Sequence, residues 1–233
     1  MKLYKFRSLG SCSDLERVTD IVKTGKFWCS QFWELNDPME GVYSYDIGTL
    51  SDQAGNEIFS AKQNRALCSF SDEQSLCEPL LWGYYGNGFK GVAIEVVVDT
   101  DGEETTGTLE PIRYVAKLPK IKNGIKPDDA AHRILTTKLK CWKHEREVRF
   151  LSHETSGLKR IGRITALHFG LPYGKIDNAR HVHRLSHVSK YFCRARSLMA
   201  VAQSRNIPCL AAVYDNGRVV TGESIDEHPL SPC

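Results

Sequence analysis

The order of apolar and polar positions predicts strands and helices that follow one another without a regular rhythm. Apolar runs at 2–6, 66–71 and 91–99 predict strands, and the last of these is the strongest. The segment after Ser13 and Asp14 repeats apolar residues at helical spacing and ends at Gly25, which predicts a capped amphipathic helix. Because no βαβ alternation is visible, we predict an α+β fold with mixed or split antiparallel β-sheets flanked by helices.

The remaining pattern extends this prediction to a single domain over residues 1–233. Further strands are predicted at 27–32, 109–115 and 164–170. Helices are predicted at 128–140, capped by Asp128, and at 178–205. A closing hairpin is predicted at 208–221. We therefore expect an α+β core over 1–170, followed by a basic helix and a β-hairpin over 171–233.

The segment KCWKHEREVRFL, residues 140–151, places two carboxylates two positions apart. Residues two apart lie on one face of a strand but not of a helix, and the following Val148 and Phe150 favour a strand. We expect Glu145 and Glu147 to point the same way. The alternative is a solvated edge strand whose carboxylates pair with neighbouring basic side chains, namely Lys143, Arg146 and Arg149.

Composition and missing motifs narrow the function. No apolar run approaches the ~20 residues that span a bilayer, and the opening MKLYKFRSLG does not resemble a signal peptide. The eight cysteines contain no C-x-x-C pair, so a cytoplasmic protein with reduced thiols is expected. P-loop, H-E-x-x-H and G-x-S-x-G motifs are absent, and no metal is expected.

The second half of the chain is basic. Between 111 and 163 there are 14 Lys and Arg residues against five Asp and Glu. Such a surface steers a polyanion or a phosphate-bearing cofactor, although solvated helix faces explain it equally well. His181, His183 and His187 lie in the basic helix, where only the last two share a face. A solvated helix is therefore favoured there over a metal site.

Three separated signals could carry chemistry on a glycosidic bond. Arg7 closes the first predicted strand and could hold a phosphate. Ser69 and Ser71 share one face of the strand at 66–71, and a serine hydroxyl could orient a ribose. A carboxylate of the Glu145/Glu147 pair could stabilise an oxocarbenium-like state. Aromatic side chains could wall such a pocket, namely Trp82, Tyr84 and Tyr85.

Ordered sequence blocks over about residues 1–170 resemble a widespread bacterial family of unknown function. The blocks are LYKFRS (3–8), FWCSQFWELNDPME (27–40), LCSFS (67–71), LWGYYGNGFKGVAIEV (81–96) and KCWKHEREVRFL (140–151). Two positions depart from the family pattern, because Tyr84 and Phe89 stand where histidines are common. If those histidines are catalytic in the family, this chain performs the chemistry differently.

The order Arg7, Ser69-x-Ser71, Glu145-x-Glu147 more remotely resembles the arginine-serine-glutamate ADP-ribosyltransferases. That resemblance implies a split-sheet α+β fold that binds NAD without a Rossmann domain. It implies that Glu147 stabilises the oxocarbenium ion and that Glu145 orients or deprotonates the acceptor. It further implies that Arg7 binds the NAD phosphates, that Ser69 supports the sugar and that Lys5 contacts the nicotinamide or a phosphate. The other residues that it places at the NAD site are Tyr4, Ser71, Trp82, Tyr84 and Tyr85.

Three functions follow as hypotheses. The first is an NAD-dependent ADP-ribosyltransferase acting on RNA, DNA or protein, of the toxin or phage-defence kind, with a cognate antitoxin or other partner protein. The second is a non-catalytic nucleic-acid-binding module that uses the basic second half. The third, a nuclease or other hydrolase, is weakened because the acidic residues at 34–57 fall mostly in predicted loops.

Overall fold

A computed structural model describes residues 1–46, 50–98, 107–174, 185–215 and 217–225. Strands and helices are mixed within these ranges, which confirms the α+β prediction. The chain divides into two compact units: Met1–Lys26, Ser71–Asp101 and Ile161–Cys233 form the first, and Phe27–Phe70 and Gly102–Arg160 form the second. No helix within the described ranges is long and apolar enough to cross a membrane.

The elements are numbered here in chain order. The strands are β1 (Lys2–Ser8), β2 (Lys26–Cys29), β3 (Ala66–Ser71), β4 (Gly91–Val97), β5 (Gly107–Pro111), β6 (Arg113–Val115), β7 (Thr137–Leu139), β8 (Glu147–Ser152), β9 (Gly157–Arg160), β10 (Arg163–Leu171), β11 (Cys209–Asp215) and β12 (Arg218–Ser224). The α-helices are α1 (Cys12–Thr24), α2 (Asp52–Gln63), α3 (Pro79–Tyr84), α4 (Pro127–Leu135) and α5 (Ser186–Gln203). Short 3₁₀ turns cover Phe32–Glu34, Glu73–Cys77 and Lys140–Glu145.

The first unit contains the strand order β12–β11–β10–β4–β1. The β10–β11 pair is parallel and the other pairs are antiparallel, so the sheet is mixed. Its apolar core surrounds Trp82, which is fully buried and donates its indole N–H to the carbonyl of Leu76 at 2.9 Å. The ring of Phe89 stacks on Trp82 with centroids 5.3 Å apart. Phe89 and Trp82 are therefore packing residues of this core.

Helix α1 shows how local sequence sets its ends. Its N-cap is Ser11, two residues before the predicted start, and Ser11 forms a capping box with Asp14. Gly25 ends the helix as predicted, with a φ of 67° that favours glycine. The long C-terminal helix is confirmed from Ser186 onward, while the predicted positions 178–184, including His181 and His183, lie outside the described residues.

The second unit contains neighbouring strands β3, β8 and β5, with β5 and β8 antiparallel. Two small sheets are also present. One pairs β2 with β9, and the other pairs β6 with β7 as parallel strands. Helices α2 and α4 pack together through buried apolar side chains, among them Ile58 and Ile134. The predicted strand at 66–71 is confirmed as β3, residue for residue.

Three predicted elements of the second unit end elsewhere. The strand predicted over 27–32 stops at Cys29, and the one over 109–115 is divided into β5 and β6. Helix α4 begins at Pro127, so Asp128 lies in its first turn and is not the cap. The helix stops at Leu135 instead of Lys140. The next two residues, Thr136 and Thr137, bond their hydroxyls back to the carbonyls of the last turn.

The closing hairpin is confirmed as β11 and β12, although its turn residue 216 lies outside the described residues. The expectation of reduced thiols holds for six described cysteines and not for Cys193 on α5, which is disulfide-bonded. The six free cysteines are Cys12, Cys29, Cys68, Cys77, Cys141 and Cys209.

Candidate functional site

The segment 140–151 adopts a turn followed by a strand. Lys140–Glu145 forms a 3₁₀ turn, Arg146 takes a left-handed conformation with a φ of 46°, and β8 begins at Glu147. The prediction that both carboxylates belong to one strand is therefore wrong, because Glu145 precedes the strand. The left-handed Arg146 caps the turn and separates the two carboxylates. Both carboxylates nevertheless contact one ammonium, so their convergence does not depend on strand alternation.

That ammonium belongs to Lys138 on β7. Its Nζ lies 2.5 Å from Oε2 of Glu145 and 3.2 Å from Oε2 of Glu147. The same Nζ lies 5.1 Å from the ring centroid of Trp142, within range of a cation–π contact. Two carboxylates and an indole face thus surround one buried cation.

A second cation holds the other side of Glu147. Arg149 is fully buried, and its Nε donates to Oε1 of Glu147 at 2.7 Å. Its Nη1 and Nη2 grip both oxygens of Glu40, at 2.5 and 3.2 Å, and Nη1 also donates to the carbonyl of Leu135. This forked geometry fixes the guanidinium far more firmly than a single ion pair.

The loop that carries Glu40 is fixed by its own side chains. The carboxylate of Asp37 accepts the backbone N–H of Met39 at 2.9 Å, forming a turn immediately before Glu40. After Glu40, the left-handed Gly41 offers its carbonyl to the ammonium of buried Lys62 at 2.9 Å. These two contacts hold the backbone on either side of Glu40, whose carboxylate binds Arg149.

Ser69 and Tyr114 complete the surroundings of Glu147. The Ser69 side chain is hydrogen-bonded to the Glu147 carboxylate, and the Tyr114 hydroxyl accepts the Glu147 backbone N–H at 2.8 Å. We call the set Glu40, Ser69, Lys138, Glu145, Glu147 and Arg149 the carboxylate network. All six residues belong to the second unit.

The electrostatics of the network keep Glu147 ionised. Burial alone would raise the pKa of its carboxyl group, but the charges of Arg149 and Lys138 and the hydrogen bonds from Ser69 and Arg149 outweigh burial and lower it to about 2. Burial tends to lower the pKa of Lys138, yet the two carboxylates raise it above its ordinary value. Burial is also the main reason that the pKa of Tyr114 is raised to about 12. Glu147 is therefore an anion at neutral pH.

A narrow cleft reaches the network from the side of β6 and β7. It is lined by Glu40 and Lys138 together with Asp37, Met39, Val115, Leu118, Pro119, Thr137 and Leu139. Its free space is about 10 Å³, enough for roughly one water molecule. Glu40 and Lys138 are thus the two members of the network that line this cleft.

The other predicted cofactor-binding residues belong to the first unit. Tyr4 pairs in register with Ser71, and Lys5 and Arg7 follow on β1. Tyr84 is 69% exposed at the end of α3, where Tyr85 forms the C-cap. Within the second unit, the structure brings together Ser69, Glu145 and Glu147.

Sequence reasoning missed three members of the network as site residues, namely Glu40, Lys138 and Arg149. Glu40 was visible as the last residue of the N-D-P-M-E block. Arg149 lies two positions after Glu147 and shares its strand face, so period-two alternation could have identified it. No local signal identified Lys138.

The first unit holds a second polar cluster around Glu95 on β4. Its carboxylate accepts hydrogen bonds from Tyr4 at 3.1 Å and Thr165 at 2.7 Å, and lies 3.3 Å from Nε2 of His168. Lys2 lies 3.5 Å away and is partly exposed. We call these five residues the Glu95 cluster. Its hydrogen-bond donors are mainly neutral groups.

The described residues contain no group of three or more His, Cys, Asp or Glu that could hold a metal ion. No family model matches the chain, and neither a curated protein nor a solved structure matches it. The described residues thus form an α+β protein with two polar clusters, one around Glu147 and one around Glu95.

Proposed function

We propose that the protein is an NAD-dependent ADP-ribosyltransferase with an ADP-ribosyltransferase-like fold and that Glu147 is its catalytic carboxylate. The proposal is supported by the surroundings of Glu147, whose oxygens lie 2.7 Å from Nε of Arg149 and 3.2 Å from Nζ of Lys138, with Ser69 also hydrogen-bonded to its carboxylate. A carboxylate that is ionised at neutral pH and oriented by a hydroxyl is suited to stabilise a cationic sugar. The resemblance in sequence order indicates the reaction, which is transfer of ADP-ribose from NAD. The pair of Ser69 and Glu147 provides the carboxylate that this reaction uses.

The reaction breaks the bond between the nicotinamide nitrogen and the ribose C1′. The bonding electrons leave with neutral nicotinamide, and the ribose becomes oxocarbenium-like. Glu147 stabilises that positive charge, and an acceptor nucleophile then forms the new bond at C1′. Glu145 takes the proton that the acceptor releases.

Arg149 and Glu40 position the catalytic group. Since Arg149 binds Oε1 of Glu147 through a fork held by Glu40, the carboxylate cannot rotate freely. A fixed carboxylate needs no reorganisation when the cationic state forms. We assign Arg7, Lys5, Tyr4, Ser71, Tyr84 and Tyr85 to NAD binding only on the strength of the resemblance. Trp82, which the resemblance also implies, is fully buried and supports this region as a core residue.

The acceptor is proposed to be RNA, DNA or protein, as in toxins and phage-defence effectors. A non-catalytic nucleic-acid module is less well supported, since several basic residues of the second half are engaged internally. Arg149 and Lys138 belong to the buried network, and Lys120 and Lys159 pair with carboxylates.

Labelled NAD mixed with a cell extract tests the proposal. The wild-type protein should transfer label to a macromolecule, and nuclease or protease digestion should identify its class. Glu57→Gln is the matched control, because Glu57 is an exposed carboxylate on α2. Glu147→Gln should slow labelling by about 10²–10³ while Glu57→Gln retains it. Label transfer that is equal in both variants would exclude Glu147 as the catalytic carboxylate.

A further inference from the structure

The two oxygens of Glu147 have different partners. Oε1 is bound by Arg149, whose Nε and Nη2 lie 2.7 and 2.6 Å from it. Oε2 faces the ammonium of Lys138 at 3.2 Å. Because two nitrogens of Arg149 hold Oε1, a substrate reaches Glu147 more readily at Oε2, the oxygen that Lys138 contacts.

Of the two cations, Lys138 is held by fewer contacts and is the more exposed. Arg149 is held by Glu40, Glu147 and the carbonyl of Leu135, and its side chain is 1% exposed. The Lys138 side chain is 8% exposed and is carried by β7, a three-residue strand whose partner β6 is equally short. It also lines the narrow cleft, so it lies at the boundary between the network and the surface.

We infer that Lys138 is a specificity-determining residue whose ammonium occupies the place of the substrate's cationic centre until NAD displaces it. This inference rests on the proposed function. Displacement leaves Glu145 and Glu147 without that ammonium, which is unfavourable unless the substrate brings positive charge of its own. NAD does so through its pyridinium ring and the developing ribose cation. A neutral N-glycoside does not, and it is rejected.

The inference predicts a separation of KM from kcat. If the binding-competent state is a minor one, the apparent affinity is reduced by the fraction of molecules in that state. Lys138→Met keeps the length of the side chain and removes its charge. We expect its KM for NAD to fall roughly ten- to hundredfold, with kcat changed less than about threefold. Lys143→Met is the control, because Lys143 is an exposed lysine on the 3₁₀ turn that carries Glu145.

A decrease in kcat with unchanged KM in Lys138→Met would overturn the inference, since the lysine would then take part in the reaction. A lysine that is merely structural predicts a lower melting temperature without a lower KM. Lys138→Gln provides a second uncharged variant with a polar end, in case Lys138→Met does not fold. The same decrease in KM is expected for it.

Binding of the 1-methylnicotinamide cation gives a readout that does not depend on turnover. The indole N–H signal of Trp142 should respond to this pyridinium at lower concentration in Lys138→Met than in the wild type. Equal affinities would overturn the inference even if NAD is turned over. Tighter binding of 1-methylnicotinamide to Lys138→Met without any nicotinamide release from NAD would separate the two proposals. Lys138 would then occupy a cation site, and the transferase function would be rejected.

Discussion

Two buried glutamates on β-strands have their carboxylate charge compensated in different ways. In the second unit, Glu147 is surrounded by the cations of Arg149 and Lys138. In the first unit, Glu95 accepts hydrogen bonds from Tyr4 and Thr165 and lies next to His168. One carboxylate is balanced by charge and the other mainly by neutral donors. Loss of one partner should therefore have very different consequences for the two carboxylates.

The physical reason lies in what remains after the loss. Removing a buried cation leaves carboxylates without compensation in a medium of low polarity. Removing a neutral donor leaves an anion that still has other donors and, for Glu95, some access to water. Stability should therefore depend more on the carboxylate network than on the Glu95 cluster.

The largest effect is expected for Arg149→Met. This variant leaves Glu40 and Glu147 facing each other without their shared guanidinium, and should lose about 3–5 kcal/mol of the free energy of unfolding. Urea denaturation measures the loss, and Arg160→Met serves as the control at an exposed strand position. A loss below about 1 kcal/mol would show that the ion pairs contribute far less than their geometry indicates.

Acid should weaken the network next. The pKa of Glu147 is lowered from 4.5 to about 2, so its contribution is complete above pH 4.5 and is lost as the pH falls toward 2. The shift corresponds to about 3 kcal/mol. Chemical denaturation across this range should therefore show less pH dependence for Glu147→Gln than for the wild type. Parallel curves for the two proteins would contradict the assigned pKa.

A smaller effect is expected from Thr165→Val in the Glu95 cluster. The valine keeps the shape of threonine and removes the hydroxyl that lies 2.7 Å from Glu95. We expect a loss of about 1.5 kcal/mol in urea denaturation, because Tyr4 still donates to the carboxylate. If Thr165→Val costs as much as Arg149→Met, the contrast between the two regions is wrong.

The smallest effect concerns His168. Burial is the main cause that lowers its pKa below 6.5, while neighbouring Glu95 opposes the shift. The unfolded chain therefore binds a proton at His168 more readily than the folded protein does. The free energy of unfolding should decrease as the pH falls below 6.5. His168→Gln should remove part of the stability difference between pH 7.5 and 5.5. An unchanged difference would exclude His168 as its source.

Local signals in the sequence were sufficient for many elements. Strand β3 and the glycine that ends α1 were predicted because their evidence lies within a few residues. The end of α4 was not predicted, because hydroxyl contacts of Thr136 and Thr137 with the last helical turn stop it earlier than the apolar pattern indicated.

The candidate site was only partly predictable for a different reason. Glu145, Glu147 and Ser69 carry recognisable spacing, whereas the Arg149–Glu40 contact joins residues 109 positions apart. No short-range pattern specifies such a contact. The role of Lys138 also required the geometry, because in the sequence it is one basic residue among many.

The most direct test of the central claim is nicotinamide release from NAD by the purified protein. The wild type should release it, Glu147→Gln should be slower by about 10²–10³, and Glu57→Gln should match the wild type. Since Glu147→Gln also disturbs the buried network, melting curves must accompany the assay. Ser69→Ala gives a milder variant that should be slower by roughly tenfold or more. Undiminished release by folded Glu147→Gln and Ser69→Ala would contradict the assignment of Glu147 as the catalytic carboxylate.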